Sequence, residues 1–151
     1  MSSLSAAAFP AVREWSKMGA TIRVRLTAEE TGGSYSVIEM TVPARFPVAP
    51  LHYHDSFAER FVVLEGDLEV ELDGMKHRLR SGMSEAAERR VKHSIRNAGD
   101  GPARFLIVAT PGGHENFFYE LIDWMNREPQ WPPADRARML EFGERHDSHY
   151  V

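Results

Sequence analysis

Turn signals recur along this chain at an interval that leaves no room for helices. Thr31-Gly32-Gly33-Ser34, Glu65-Gly66-Asp67, Asp73-Gly74, Gly82 and Ala98-Gly99-Asp100-Gly101-Pro102 punctuate residues 20–109. The runs between them read as short strands. In residues 20–27, Ile22, Val24 and Leu26 alternate with Arg23 and Arg25, the period of a half-buried strand. Residues 35–42, 59–64, 68–72, 75–79, 91–97 and 103–109 carry the same signature, and 51–54 is a shorter candidate. Pro43, Pro47 and Pro50 break the stretch before it into irregular chain. Asp73-Gly74 is a strong hairpin cue. Short strands with turns about every 8–12 residues predict an all-β sandwich or barrel.

The period changes after Pro111-Gly112-Gly113. Phe117, Phe118, Leu121, Ile122 and Met125 recur at helical spacing, and Pro129, Pro132 and Pro133 end that helix. A second helix is predicted over 134–145, carrying Met139, Leu140 and Phe142. The chain therefore divides into an N-terminal arm (1–19), a β-barrel (20–113) and C-terminal helices packed on it (114–151). At 151 residues and 42% apolar composition it can bury one core. Lys and Arg number 18 against 22 Asp and Glu, so no basic excess favours nucleic acid as a partner. No apolar run reaches the length of a membrane span. The first twelve residues lack a basic region and contain Pro10, which argues against a signal peptide and for a cytoplasmic protein. Phe9, Trp15 and Met18, outside the predicted barrel, suggest a surface covered by a partner or by the barrel itself, and a homodimer is expected.

With no cysteine, metal chemistry here rests on imidazole and carboxylate. His52 and His54 are two apart on a predicted strand, so both rings project from one face. Glu59 shares a face with Phe61 and Val63; if these face the core, its carboxylate is buried and needs a partner, either a metal or an Arg or Lys. His93 shares a face with Ile95 and Asn97 and is a third imidazole if that face is inward. Three neutral imidazoles and one carboxylate can hold a divalent transition metal with positions left open.

Order and spacing add to this. His52-x-His54 is followed by four residues, Glu59, six residues and Gly66; Gly82 is followed by ten residues, His93, three residues and Asn97. This resembles the two sequence motifs of the cupin superfamily. The resemblance implies a double-stranded β-helix, or jelly-roll barrel, with a short C-terminal helical tail. It also implies a metal held inside the barrel by His52, His54, Glu59 and His93. Three positions depart from the motifs: Phe46, Glu88 and Arg90 stand where Gly, Pro and Gly are usual. A turn that has changed type, with Arg90 at an ordinary negative φ and its charge in solvent, is expected before His93; the alternative is an Arg90 guanidinium that reaches across the rim to an acidic or enolate substrate.

Small single-domain cupins of this kind look like the quercetin-dioxygenase-related group. The resemblance implies a metal-dependent dioxygenase acting on a small enol or enolate. It implies one divalent transition metal (Fe, Ni, Mn, Zn, Cu or Co) as cofactor, with Glu59 as a ligand and, when displaced, a base. Phe61, Val63, Ile95, Phe105 and Ile107 would line the substrate pocket. A metal-dependent isomerase or lyase and a non-catalytic binding module are the alternatives. Among the other histidines, His77 reads as a packing or rim residue, and His146 and His149 as solvated. His114, where the barrel ends, reads as a surface residue, or else as a proton shuttle at the open end.

Overall fold

The computed structural model describes residues 13–151; Phe9 and the N-terminal stretch that argues against a signal peptide lie outside the described residues. Its strands are β1 (Glu14–Lys17), β2 (Ala20–Leu26), β3 (Ser36–Val42), β4 (Pro47–Tyr53), β5 (Ala58–Glu65) and β6 (Asp67–Leu72). There follow β7 (Met75–Arg80), β8 (Ser84–Ala87), β9 (His93–Arg96), β10 (Ala103–Thr110), helices α1 (Glu115–Arg127) and α2 (Arg136–Arg145), and a last strand, β11 (His149–Tyr150). They form two antiparallel sheets, one ordered β1-β2-β3-β10-β5-β8 and the other β11-β4-β9-β6-β7. This is a double-stranded β-helix with a C-terminal helical tail.

Alternation builds the core. On β10, Ala103, Phe105, Ile107 and Ala109 are buried while the residues between them are more open. Register places Ile107 between Ile38 and Phe61, and Phe105 between Met40 and Val63. Leu68, Val70, Leu79 and Ile95 meet them from the other sheet. Each such side chain contributes roughly 1.5–3 kcal/mol through burial. At Gly66, φ is +78° and an added Cβ would lie 2.3 Å from the Pro102 carbonyl, so this turn accepts no side chain.

Several elements differ from the sequence expectation. β4 runs through Pro47 and Pro50 rather than breaking there. It pairs with β9 only at Pro47–Arg96, Ala49–Ile95 and His52–His93, with register shifts between. A bulged strand of this kind needs few ladder N–H groups, so proline is tolerated. β1 and β8 carry too few β-branched residues to announce themselves. The tail is not solvated at its end: after α2 the chain turns back and β11 adds to the edge of β4, Tyr150 opposite His52. His146 and His149 are correspondingly drawn into contacts with Glu120 and Glu144. Trp15 packs edge-on against Tyr119 of its own chain, 5.7 Å between ring centroids, so its burial needs no second copy. Among the described residues no helix is long and apolar enough to cross a membrane.

Candidate metal centre

His52 and His93 oppose each other on β4 and β9, their ring centroids 4.2 Å apart. Glu59 reaches them from the other sheet, on the inward face of β5 with Phe61 and Val63. Its register neighbours are Ala87 on β8 and Ala109 on β10, whose small side chains leave the carboxylate room. His54 follows the end of β4, its ring stacked on Phe57 at 4.1 Å. None of the four is more than 6% exposed. One ligand atom from each lies within 4.8 Å of the others.

The proton inventory decides what this corner can accept. Nδ1 of His52 donates to the Pro50 carbonyl (2.6 Å), Nδ1 of His54 to the Asp147 carbonyl (2.8 Å) and Nδ1 of His93 to the Val91 carbonyl (2.8 Å). A carbonyl only accepts, so the proton of each neutral ring is on Nδ1 and Nε2 carries a lone pair. His93 Nε2 nevertheless lies 3.0 Å, and His54 Nε2 3.4 Å, from Glu59 Oε2. The His54 nitrogen is buried without a hydrogen-bond partner. Lone pairs facing a carboxylate at such distances require positive charge between them. A proton on one ring serves one pair; a single cation serves all. The donor set of three imidazoles and one carboxylate suits a divalent transition ion, and each Nδ1–carbonyl bond supplies the outer support that such ligands use.

The electrostatics differ from ring to ring. Burial, with His93 beside it, lowers the His52 pKa to about 3, so the ring stays neutral. Burial opposes charging of His54 too, but the adjacent Glu59 carboxylate raises it. Burial alone would raise Glu59; His114, His54 and His93 around it instead hold it well below the usual carboxylate range.

Two further groups belong to the site. His114, at the start of α1, is buried and its Nε2 lies 2.9 Å from Glu59 Oε1, which corrects the surface reading. Asp147, ahead of β11, holds His54 through its carbonyl while its carboxylate accepts from the N–H groups of Asp55 and Ser56. No sequence spacing links these residues to the motif; a helix start and a chain end are brought there by folding. His77 stays outside, half-exposed and 3.9 Å from Glu85. Phe61, Val63, Ile95, Phe105 and Ile107 all lie in the buried core. Before His93 the expected negative φ at Arg90 is overturned: φ is +67°. Its N–H donates to the His54 carbonyl at 2.7 Å, which ties the turn to a ligand and holds the left-handed backbone. Its side chain is exposed, with Asp55 at 3.3 Å.

A family model described as a cupin domain matches residues 38–109. Protein SchB of Streptomyces halstedii is 32% identical over 96 residues, 63% of this chain and 69% of SchB. The chain belongs to the cupin superfamily. Polyketide synthase CurC of Streptomyces cyaneus is 32% identical to this cupin over 96 residues, 63% of this chain and 62% of CurC. Among solved structures, a sugar phosphate isomerase of the cupin superfamily from Silicibacter pomeroyi superposes with a TM-score of 0.52 at 26% identity, covering 61% of this chain and 59% of that one.

Proposed function

We propose that this cupin is a metal-dependent enzyme acting on a small enolisable carbonyl compound, as a dioxygenase. The observation that carries the reading is the buried corner where three imidazoles, each bonded through Nδ1 to a main-chain carbonyl, and the ionised Glu59 carboxylate bring one ligand atom apiece to within 4.8 Å of one another. His52, His54, Glu59 and His93 would hold one divalent transition ion. When bound, such an ion supplies Lewis acidity and a template for a chelating enolate, and a redox-active one supplies a route to O₂ chemistry. Glu59, ionised while its imidazole neighbours hold it, would become the group on hand to accept the proton of enolisation once a chelating substrate displaced it. Phe61, Val63, Ile95, Phe105 and Ile107, all in the buried core, would supply the apolar surface that keeps water from the reacting carbon. The likeness to the polyketide synthase CurC supports a substrate with several carbonyls, since polyketide carbonyls enolise readily.

A second reading, a non-oxidative isomerase or lyase on the same ligand set, draws support from the likeness to the sugar phosphate isomerase. Metal-loaded protein mixed with β-diketones, enediols and flavonols in an oxygen electrode distinguishes them. Substrate loss with O₂ uptake is expected. Loss without uptake transfers the function to the second reading, and binding without any loss makes the chain a binding module.

The ligand set has its own test. His52→Ala and His54→Ala should each strip most of the metal from protein purified without chelator or His tag, while His77→Ala leaves the content unchanged. Equal loss in all three variants would overturn the assignment.

A further inference from the structure

His114 differs from the three imidazoles it adjoins. Each of those gives its Nδ1 proton to a main-chain carbonyl and turns a bare Nε2 inward. His114 has no such carbonyl: its Nδ1 is buried without a hydrogen-bond partner. Its other nitrogen, Nε2, lies 2.9 Å from Glu59 Oε1, the oxygen that His54 and His93 do not approach. A neutral His114 that faces a carboxylate with Nε2 must carry its proton there, because a bare nitrogen would repel the oxygen. The tautomer is therefore the reverse of the other three. His114 is a donor to the carboxylate, and they are lone-pair groups.

Its surroundings hold the ring in that pose. Phe57 lies 4.8 Å from it, Phe117 stacks on it at 5.3 Å with an interplanar angle of 24°, and Phe118 meets it edge-on at 5.0 Å. The main chain leads directly into α1, where the Phe117 N–H donates to the His114 carbonyl at 3.1 Å. An aromatic box of this kind offers a polar ring no other partner. Leaving Nδ1 unpaired there is costly, and the bond to Glu59 is what offsets it.

We propose that His114 is a positioning residue for the metal centre: its Nε2–H occupies Oε1 of Glu59, so that Oε2 alone is presented to the imidazole corner. This rests on the metal-binding reading above. A carboxylate held by one oxygen cannot swing to offer both, and the positions it would have taken stay open for a chelating substrate. Outer hydrogen bonds to metal ligands of this type typically change metal affinity by about 10–100-fold when removed.

The test uses Co²⁺ alone as probe, read by visible absorption, with thermal melting of the metal-free protein beside it. His114→Phe keeps an aromatic ring in the box and deletes the donor. His114→Gln deletes the ring and keeps an N–H of similar reach. His114→Phe should bind Co²⁺ about 10–100-fold more weakly, with a changed spectrum. His114→Gln should retain the wild-type spectrum and affinity within a few-fold. Wild-type affinity and spectrum in a folded His114→Phe protein overturn the proposal. So does equal loss in both variants, which would make the ring's packing the cause. Should His114→Phe fail to fold, His114→Gln alone decides, retention supporting the proposal and loss overturning it. A wild-type chain that binds no Co²⁺ removes the metal reading and this one together, an outcome separate from the others.

Discussion

Arg90 and Asp147 show how single residues tune the loops that carry His93 and His54. Arg90 stands at φ +67° where the superfamily's second motif usually has Gly. The left-handed backbone costs an L-residue about 1–2 kcal/mol, and an exchange to Gly returns up to about 1 kcal/mol through the freer unfolded chain. Arg90→Gly should therefore raise stability by up to about 1 kcal/mol in urea melts, with metal content unchanged. A drop in stability would mean that the contact with Asp55 outweighs the strain. Asp147 supplies a pH dependence. Burial pushes its carboxyl up, but the Ser56 hydroxyl and the N–H groups of Asp55 and Ser56 bring it down to about 2 from 3.8. A pKa depressed by folding stabilises above the unfolded value and loses that contribution as pH falls through the folded one. The contribution is roughly 2 kcal/mol, present near pH 5 and gone below about pH 2. Urea melts across that range should show the loss in wild type and a smaller slope in Asp147→Asn; parallel curves would contradict it.

At the scale of elements, the C-terminal segment closes one side of the candidate metal centre. β11 pairs with β4 beside His52, the Val151 N–H donates to the Leu51 carbonyl at 3.1 Å, and the Asp147 carbonyl fixes His54. Helix α2 presses on this strand at Gly143, where an added Cβ would lie 2.4 Å from the Ser148 carbonyl and 2.6 Å from the Tyr150 ring. Both contacts are to groups with little room to retreat. Gly143→Ala should displace the tail and weaken Co²⁺ binding by about 10–100-fold through His54, while the barrel core stays folded. Titration of the variant checks this, and wild-type affinity would show that the tail only covers the site.

The whole molecule joins its two sheets through this corner, since Glu59 belongs to one sheet and His52 and His93 to the other. An ion bound there ties the layers together in the folded state only. At a free metal concentration about 1,000 times Kd, the added stability is about 4 kcal/mol. For a domain of this size each kcal/mol shifts Tm by roughly 2–4 °C. Differential scanning calorimetry should show a rise of roughly 8–16 °C on adding Co²⁺ at that excess, reversed by chelator. A Tm indifferent to metal would place any binding elsewhere.

Strand faces made Glu59 and His93 conditional candidates, and only the resemblance to the cupin motifs joined them to His52 and His54 as ligands; the strand periods, the hairpin turns and the same-face placement of His52 and His54 were legible in the amino-acid order itself. They depend on alternation and on spacings within one or two adjacent strands, which local geometry translates directly into faces. The all-β fold followed from the same short-range pattern. The path of β4 through Pro47 and Pro50, the pairing of β8 and β11, and the arrival of His114 and Asp147 at the centre were not legible. Each depends on which distant segment lies alongside: β11 meets β4 across about a hundred residues of chain, and His114 meets Glu59 across 55. Proline in a strand is acceptable only when the neighbouring ladder is known, and a histidine after a turn becomes a donor to Glu59 only when an aromatic box holds it there. Sequence determined which side chains are available as ligands; tertiary packing decided which carbonyls their Nδ1 atoms meet, and with them which nitrogens face the shared corner.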